Sequence, residues 1–303
     1  MSAAVPYRPT ASIPLGITSM LMAVALFGAM DALVKWLTAG YPTIQIMFFR
    51  SVFALPPVLL MVARGPHGFG ALRTRQPVAH ATRSLFGLGA MLCFFYSYSF
   101  MPLADVTAIA FSAPIFIAFL SVWLLGETVG LHRWSAIVVG FIGMLVIVRP
   151  GMGMLQSGAL VVVAATALYA LAMIQIRKLG RTEPSTTIAF YFTLFCLVFT
   201  GLALPWFWVT PTLADLPLLA GVGLLGGCAQ LLMTRAYTLA PAAVVAPFDY
   251  THMLWAVLLG WYLWGDFPGL QVWIGCAIVV ASGLYILYRE TVRGAAVPKI
   301  ATE

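Results

Sequence analysis

Long apolar runs separated by short polar segments follow one another along almost the whole chain. Most of these runs have the ~20 residues that an α-helix needs to cross a hydrocarbon core ~30 Å thick. Proline suits the first turn of a helix, so the apolar region between 81 and 125 divides at Pro102. The runs lie at about 13–38, 42–63, 81–101, 103–125, 132–149, 156–178, 185–208, 213–239, 241–264 and 268–288. The pattern predicts an all-α membrane protein with ten transmembrane helices.

The second half of the chain repeats the first. The stretch PLADVTAIAFSAPIFIAFLSVWLLGE at 102–127 returns as PAAVVAPFDYTHMLWAVLLGWYLWGD at 241–266. Aromatic residues coincide at nine positions along the two halves, whereas an aromatic content of 13% gives roughly two coincidences over about a hundred aligned positions. Three of the aligned pairs are Tyr98 with Tyr237, Phe111 with Tyr250, and Phe27 with Tyr169. We therefore predict two five-helix repeats at 13–150 and 151–289, with short tails at 1–12 and 290–303.

Composition supports a membrane setting. The chain is 62% hydrophobic and 8% charged, whereas a soluble domain is about 25% charged. A net charge of +7 is compatible with nucleic-acid binding, but the basic residues lie in short segments between apolar runs, so we expect no nucleic-acid partner. The four cysteines fall one to an apolar run, which favours small buried hydrophobic residues over a disulfide or a metal site. No metal or cofactor is expected.

Basic residues in the polar segments orient the helices. With the N-terminus inside, twelve basic residues fall in cytoplasmic segments, while only Lys35 and Arg149 fall outside. The twelve are Arg8, Arg64, Arg73, Arg75, Arg83, Arg133, Arg177, Lys178, Arg181, Arg289, Arg293 and Lys299. Both termini are therefore expected in the cytoplasm, with the helices in a bacterial inner membrane. Because each repeat has an odd number of helices, the second is inverted relative to the first, which is typical of secondary transporters.

Charged residues in the first helical hairpin are candidate substrate-binding or gating groups. Asp31 and Arg50 lie on either side of the turn near Gly40, so both should lie roughly 13–15 Å below the outer surface. Lys35 follows Asp31 by one helical turn on the same face. Charges at membrane depth are costly and are usually functional or paired. These residues either form an outer gate or bind a polar group of the substrate, or their salt bridge only locks two helices together.

A second charged pair lies near the cytoplasmic side. Arg235 and Asp249 flank the turn at Ala240 and Pro241 and are the counterpart of the first pair. Pro247 interrupts the ninth helix, and Pro114 interrupts the fourth. Broken helices in both halves indicate a transport site, although ordinary packing kinks are an equally good interpretation.

Proton coupling and ring stacking define the remaining candidates. Asp249 is the expected proton carrier, because nearby cations should keep Asp31 ionised, and His252 is placed to join a relay. Four aligned aromatic residues are candidates to stack on a planar substrate, although interhelix packing is the common alternative. These four are Tyr98, Phe111, Tyr237 and Tyr250. Glu127 and Asp266 end the fourth and ninth runs and are predicted to cap the helices that follow.

Two stretches carry a family resemblance. The segment 83–151, from RSLFGLGAMLCFFYSYSF to GMLVIVRPG, resembles the EamA-type permeases of the drug/metabolite transporter superfamily, as does FGAMDALVKWL at 27–37. The repeat extends the resemblance over about 13–289. The resemblance implies a ten-helix fold of two EamA repeats around a central cavity that moves small organic solutes. Relatives of this kind include permeases for riboflavin, S-adenosylmethionine and amino acids.

These features predict a secondary transporter that moves a small, ring-bearing metabolite, such as riboflavin or an S-adenosylmethionine-like compound, by alternating access. An amino-acid or drug exporter of the same fold is the alternative. An enzyme is disfavoured because the sequence has no HExxH, GxSxG, P-loop or Cys-x-x-Cys motif, and the inverted repeat disfavours a channel. The expected partners are a small-molecule substrate, the lipid bilayer and a proton as coupling ion. A monomer and a homodimer both remain open.

Overall fold

The computed structural model describes residues 12–65, 68–125, 131–148, 155–180, 182–240 and 242–292. Within these residues the regular structure is entirely helical, which confirms the predicted all-α class. The tail predicted at 1–12 and most of the tail predicted at 290–303 lie outside the described residues. The same holds for Glu127, predicted to cap a helix, and for Pro241 at the second turn.

Helices of very different lengths make up the described chain. The α-helices are α1 Ile13–Leu37, α2 Thr43–Arg64, α3 Pro77–Ser97, α4 Leu103–Ala110, α5 Ala113–Leu125, α6 Leu131–Val148, α7 Leu155–Leu179, α8 Ser185–Ala203, α9 Leu216–Leu239, α10 Ala242–Val245, α11 His252–Trp264 and α12 Leu270–Val292. Short 3-10 helices lie at Gly68–Leu72, Leu204–Trp206 and Ala246–Thr251.

Eight helical segments among the described residues are long and apolar enough to cross a membrane. They are Ile13–Leu37, Thr43–Arg64, Pro77–Ser97, Leu103–Val122, Gly158–Leu179, Ser185–Trp206, Leu216–Tyr237 and Leu270–Tyr288. A shorter apolar stretch, Trp134–Val148, lies in α6. The protein is therefore a multi-pass membrane protein.

The third span begins earlier than the hydrophobic run suggested. α3 begins at Pro77, because proline is well suited to the first helical position, whereas the run was placed at 81–101. The earlier start places Arg83, which the charge distribution assigns to a cytoplasmic segment, in the second turn of a membrane-spanning helix. Arg83 is therefore not one of the solvated loop charges.

Proline interrupts two helices, as the sequence predicted. α4 ends at Ala110 and α5 begins at Ala113, with Pro114 at its second position. Ala246–Thr251, which contains Pro247, forms a 3-10 helix between α10 and α11. Proline lacks a backbone N–H and clashes with the preceding turn, which weakens the α-helical pattern at these two points, although Pro56 and Pro57 lie inside α2 without ending it. Asp249 and Tyr250 consequently lie on the 3-10 segment rather than on a regular α-helix.

Helices from the two halves of the chain pack against each other. α1 packs along α9, α3 along α7, and α6 along α12, while α2 packs against both α8 and α9. Small residues allow the closest approaches, as is common between membrane helices. A Cβ atom at Gly223 on α9 would lie 2.5 Å from the Phe53 Cβ and 2.7 Å from the Arg50 carbonyl oxygen on α2. The contact places Arg50 against α9.

Hydrogen bonds between the halves occur at both ends of the bundle. At one end, the Tyr41 hydroxyl donates to Asp215 over 2.7 Å, and the Gln45 amide group exchanges two hydrogen bonds with the backbone of Val209. At the other end, Thr187 and Tyr191 donate to backbone carbonyls of the 3-10 helix Gly68–Leu72. The charged residues in the middle of the bundle take no part in these contacts.

Candidate functional site

Asp31 lies inside the bundle and contacts two residues from elsewhere in the chain. Its side chain is on the buried face of α1, the Tyr98 hydroxyl lies within its electrostatic reach, and the His252 Nε2 lies 3.3 Å from its Oδ2. The His252 contact is within ion-pair range but is not aligned as a hydrogen bond. The predicted pairing of Asp31 with Arg50 is therefore replaced by pairing with His252.

The packing of α11 on α1 explains this partner. A Cβ atom at Gly28 would lie 2.6 Å from the Trp255 Cβ and 3.7 Å from a ring carbon of His252. Only a glycine lets the two helices approach this closely. Because Asp31 is three residues after Gly28 on the same side of α1, the close approach brings His252 to the carboxylate.

Asp249 lies in a different environment from Asp31. It is exposed by surface area, yet protein atoms surround it closely, so we interpret it as lining an open space inside the bundle. Its charge acts on Tyr169, Tyr237, Tyr250 and His252, which belong to four different helical segments. His252 thus lies between the two carboxylates.

The aligned aromatic residues fall into two kinds of contact. Tyr98 lies within electrostatic reach of Asp31, and its repeat equivalent Tyr237 within that of Asp249. Phe111 and Tyr250, also repeat equivalents, pack edge to face with ring centroids 5.0 Å apart. Phe111 is buried, so this second pair is an interhelix packing contact.

Lys35 points away from Asp31 and closes one end of the bundle. Its Nζ lies 2.7 Å from the Asp266 Oδ2, donates to the Met101 carbonyl over 3.2 Å, and lies 4.8 Å from the centroid of the Trp264 ring. Asp266 was predicted to cap the next helix, but α12 begins only at Leu270. The cap prediction is therefore wrong. Gly265 adopts a left-handed conformation with φ 72° that ends α11, and Asp266, the next residue, pairs with Lys35.

Two arginine side chains share a small cavity. Arg50 on α2 and Arg83 on α3 line a cavity of about 70 Å³ together with residues of α8 and α9. The Arg83 guanidinium lies 3.8 Å from the centroid of the Phe192 ring. The Nε atoms of both arginines and Nη1 of Arg83 are buried without a hydrogen-bond partner. Arg235 is exposed on α9, and its predicted pairing with Asp249 stays a prediction.

A larger recess of about 700 Å³ lies on the loop face, between the segment from Gly70 to Gln76 and the turn at 182–184. Its polar groups already bond one another, because Thr74 donates to Glu183 and Gln76 donates to Thr182, each over 2.7 Å. We therefore place the candidate site in the bundle and not in this recess. Among the described residues, no group of three or more His, Cys, Asp or Glu side chains could hold a metal ion.

Sequence reasoning did not place three residues in these clusters. The distribution of basic residues puts Arg83 in a cytoplasmic segment, although Gly87 one turn later is compatible with a helix face packed closely against a neighbour. Tyr169 is a candidate for stacking on a planar substrate from its aromatic character alone, but nothing in the sequence links it to Arg83 or Asp249, within whose electrostatic reach it lies. Asp266 carried no local signal of its pairing with Lys35.

Membrane-crossing helices that surround carboxylates, arginines and tyrosines define a polytopic membrane transporter. The chain belongs to the EamA-like transporter family, which matches it twice, at residues 14–149 and 156–288. The matched family also shows that the protein is a transporter rather than an enzyme.

Similar proteins carry different substrate names. The chain is 28% identical to an S-adenosylmethionine uptake transporter of Rickettsia bellii, over 91% of this chain and 94% of the relative. It is 30% identical to a riboflavin transporter of Rhizobium johnstonii, over 89% and 90%. It is 31% identical to a pseudopaline exporter of Pseudomonas aeruginosa, over 88% and 94%. One crystal structure shares the fold with a TM-score of 0.62 at 18% identity, covering 93% of this chain and 98% of that one.

Proposed function

We propose that the protein is a secondary transporter that moves a small, ring-bearing organic metabolite across the bacterial inner membrane by alternating access. In this proposal ten helices form two inverted five-helix repeats, with both termini in the cytoplasm. The reciprocal packing of the halves is the observation that carries it. α1 packs on α9 and α7 packs on α3, and these are the first helix of each repeat against the third helix of the other.

The repeat-equivalent aromatic residues support a two-fold axis that relates the two repeats. Phe111 meets Tyr250 directly, as residues next to a two-fold axis must. Tyr98 and Tyr237 lie further from that contact, and each faces one carboxylate. The fourth and ninth predicted helices are the interrupted pairs α4–α5 and α10–α11, which account for the two spans that are not continuous α-helices.

Lys35 and Asp266 are proposed to form the outer gate. Their contact joins the end of α1 to the segment after α11, and Trp264 and the Met101 carbonyl enclose the same ammonium group. Asp249 and Tyr237, which are exposed, lie toward the opposite end near Leu239. This state is therefore closed outside and open toward the cytoplasm, and Arg235 is assigned to the inner side.

Asp249 is proposed to carry the coupling proton. It faces an open space, so water can reach it, and its field acts on His252, which contacts Asp31. A carboxylate that alternates between water and protein is a suitable proton carrier. Asp31, with Tyr98 and His252, is proposed to bind the polar part of the substrate or to pass the proton on.

The relatives support a substrate with a ring, since two of them are named for S-adenosylmethionine and riboflavin. Tyr169 and Tyr237 provide exposed rings inside the bundle for stacking, a role that the buried Phe111 and the Tyr250 packed against it do not share. Export of an amino-acid-like compound is the second candidate, and the pseudopaline exporter favours it.

Uptake into proteoliposomes tests the proposal. The purified protein is reconstituted, and accumulation of labelled S-adenosylmethionine and riboflavin is measured with and without an imposed proton gradient. We expect saturable, gradient-dependent accumulation of one of the two. Passive, non-saturable flux would favour a channel, and gradient-independent exchange alone would contradict proton coupling.

A further inference from the structure

Arg50 and Arg83 are two cationic side chains that face one cavity inside the bundle. We propose that they form an oxyanion subsite, which receives a carboxylate or phosphate group of the transported compound. This inference rests on the proposed function and deepens it, because it names a chemical group that the substrate must carry.

Three nitrogen atoms of the two arginines have no hydrogen-bond partner among the described residues. They are the Nε atoms of both and the Nη1 of Arg83, and all three are shielded from water. Arginine remains charged in proteins, and a buried donor left without an acceptor is costly. An anion-binding site has N–H donors that are unpaired before the anion binds. In a structural salt bridge, the same donors would already bond a carboxylate of the protein.

The nearby carboxylate neutralises this pair only in part. Asp31 is the carboxylate whose charge acts on Arg50, but it also interacts with Tyr98 and contacts His252. The charged side chain whose field acts on Arg83 is Arg50, which has the same sign. Two like charges in a low-dielectric interior repel each other, and an anion placed between them relieves the repulsion.

The cavity is shaped to admit a compact group. Its lining includes Arg50, Arg83, Phe192, Thr193, Gly226 and Gln230, and it encloses about 70 Å³. A buried water needs roughly 10–15 Å³ of such space, so the cavity holds a few waters or an oxyanion, but not the ring system of a flavin or a nucleoside. The ring must therefore lie outside it, and Tyr169, which interacts electrostatically with both Arg83 and Asp249, is the aromatic residue we assign to it.

Two glycines let the arginine side chains lie close to the helix backbone. A Cβ atom at Gly226 would lie 3.6 Å from the Arg50 Nε and 2.8 Å from the Met30 Sδ, and one at Gly87 would lie 3.1 Å from the Arg83 Nη1 and 2.8 Å from a ring carbon of Phe192. The two glycines are equivalent positions in the repeats. Stacking on Phe192 fixes the plane of the Arg83 guanidinium, and its N–H edge is left for bidentate contact with a carboxylate or phosphate.

Ligand-induced thermal stabilisation of the purified full-length protein tests the subsite. Unfolding is followed by tryptophan fluorescence with two matched pairs of probes: S-adenosylmethionine with its decarboxylated analogue, and flavin mononucleotide with riboflavin. We expect the member that carries the oxyanion to raise Tm more in at least one pair. The pair that responds distinguishes a carboxylate from a phosphate.

Variants assign that effect to the arginines. Arg50→Gln and Arg83→Gln should each reduce the extra Tm shift at least fivefold, and Arg83→Lys should lose most of it because lysine lacks the planar fork. The control is Arg64→Gln, an exposed arginine at the end of α2, which should keep the full shift. Without ligand, the two Gln variants should melt at or above the Tm of the wild type, because each removes an unpaired buried charge.

Three results would overturn the subsite. They are an equal response to both members of each pair, a retained shift in the Arg50 and Arg83 variants, and a lower Tm of those variants without ligand, which would indicate a structural role. Transport is judged separately in proteoliposomes. If the shifts are as expected but no compound accumulates, then the proposed secondary transport is wrong and the oxyanion subsite stands.

Discussion

At the scale of single residues, the two interior carboxylates differ in their access to water. Asp31 is 9% exposed and is held by Tyr98 and His252, whereas Asp249 is exposed and has tyrosines around it. An enclosed carboxylate with fixed partners suits recognition or relay. An accessible carboxylate suits proton exchange, because protons must enter and leave through water.

Asp249→Asn tests the role of proton carrier. The amide keeps the size of the side chain but cannot carry a proton, so gradient-driven accumulation in proteoliposomes should fall at least tenfold while substrate exchange stays largely intact. Asp215→Asn, which changes an aspartate at the surface, is the matched control and should accumulate substrate like the wild type. Undiminished accumulation by Asp249→Asn would remove Asp249 from the coupling mechanism.

The contact between Lys35 and Asp266 makes a charge-exchange prediction. Lys35→Asp and Asp266→Lys should each lower gradient-driven uptake at least fivefold, because like charges would face each other at 2.7 Å in the wild-type geometry. The double exchange should restore part of the loss. Asp31→Arg combined with Arg50→Asp should restore nothing, because Asp31 pairs with His252. Rescue in this second pair but not in the first would reverse the assignment of the gate.

At the scale of elements, glycines decide how closely helices from the two halves approach. α9 crosses α2 at Gly223, where a Cβ atom would overlap Phe53 and the Arg50 carbonyl. Backbone atoms cannot move aside without shifting the helix. The position of Arg50 in the cavity therefore depends on a residue of the other half.

Gly223→Ala should destabilise the protein by about 1–3 kcal/mol, the usual cost of overpacking, and should lower Tm. The control is Gly40→Ala, because a Cβ atom at Gly40 meets nothing within 4 Å. Thermal unfolding in detergent measures both. Equal Tm values for the two variants would show that α2 and α9 can separate at little cost.

The hydrogen bonds of Asp215 join the α1–α2 turn to the segment before α9, and their contribution to the stability of the fold depends on pH. Hydroxyl groups of Thr212 and Tyr41 donate to its carboxylate and hold the pKa of Asp215 below its ordinary value. A lowered folded-state pKa means that the stabilisation is complete above the ordinary pKa of about 3.9 and is lost as the pH falls through the folded value.

Tyr41→Phe should therefore lower Tm more at neutral pH than at acid pH, and the difference from wild type should shrink below about pH 4. Gln45→Met is the control, because the Gln45 amide bonds the Val209 backbone at the same end of the bundle and neither group titrates. Its effect on Tm should not vary in this way. Identical pH profiles of the two variants would exclude the Asp215 contribution.

At the scale of the whole molecule, the proposed inverted arrangement gives a topology that can be measured. Reporter fusions at Gly70 and Glu303 should be cytoplasmic, and a fusion at Met154 should be external, because the five proposed helices of the first repeat precede it. Activity of periplasmic and cytoplasmic reporters at each site measures this. A cytoplasmic reading at Met154 would show that the first repeat crosses the membrane an even number of times.

The sequence by itself determined the class and the family and indicated where two helices break. Membrane-spanning helices follow from the length of apolar runs, since every backbone group must bond within its own helix in lipid. The interruptions at Pro114 and Pro247 are consistent with the missing N–H of proline, whereas Pro56 and Pro57 leave α2 continuous. Both features depend on neighbouring residues in the sequence, so they can be predicted without knowing how the helices pack.

Only the tertiary structure decided which polar groups meet. Lys35 and Asp266 are 231 residues apart, and Asp31 meets His252 because Gly28 lets α11 approach α1. Spacing along one helix suggested that Lys35 would join Asp31, but the rotation of each helix is set by its packing against helices distant in sequence. The shared cavity of Arg50 and Arg83 likewise depends on how α2, α3, α8 and α9 pack together, and no local pattern in the chain specifies that.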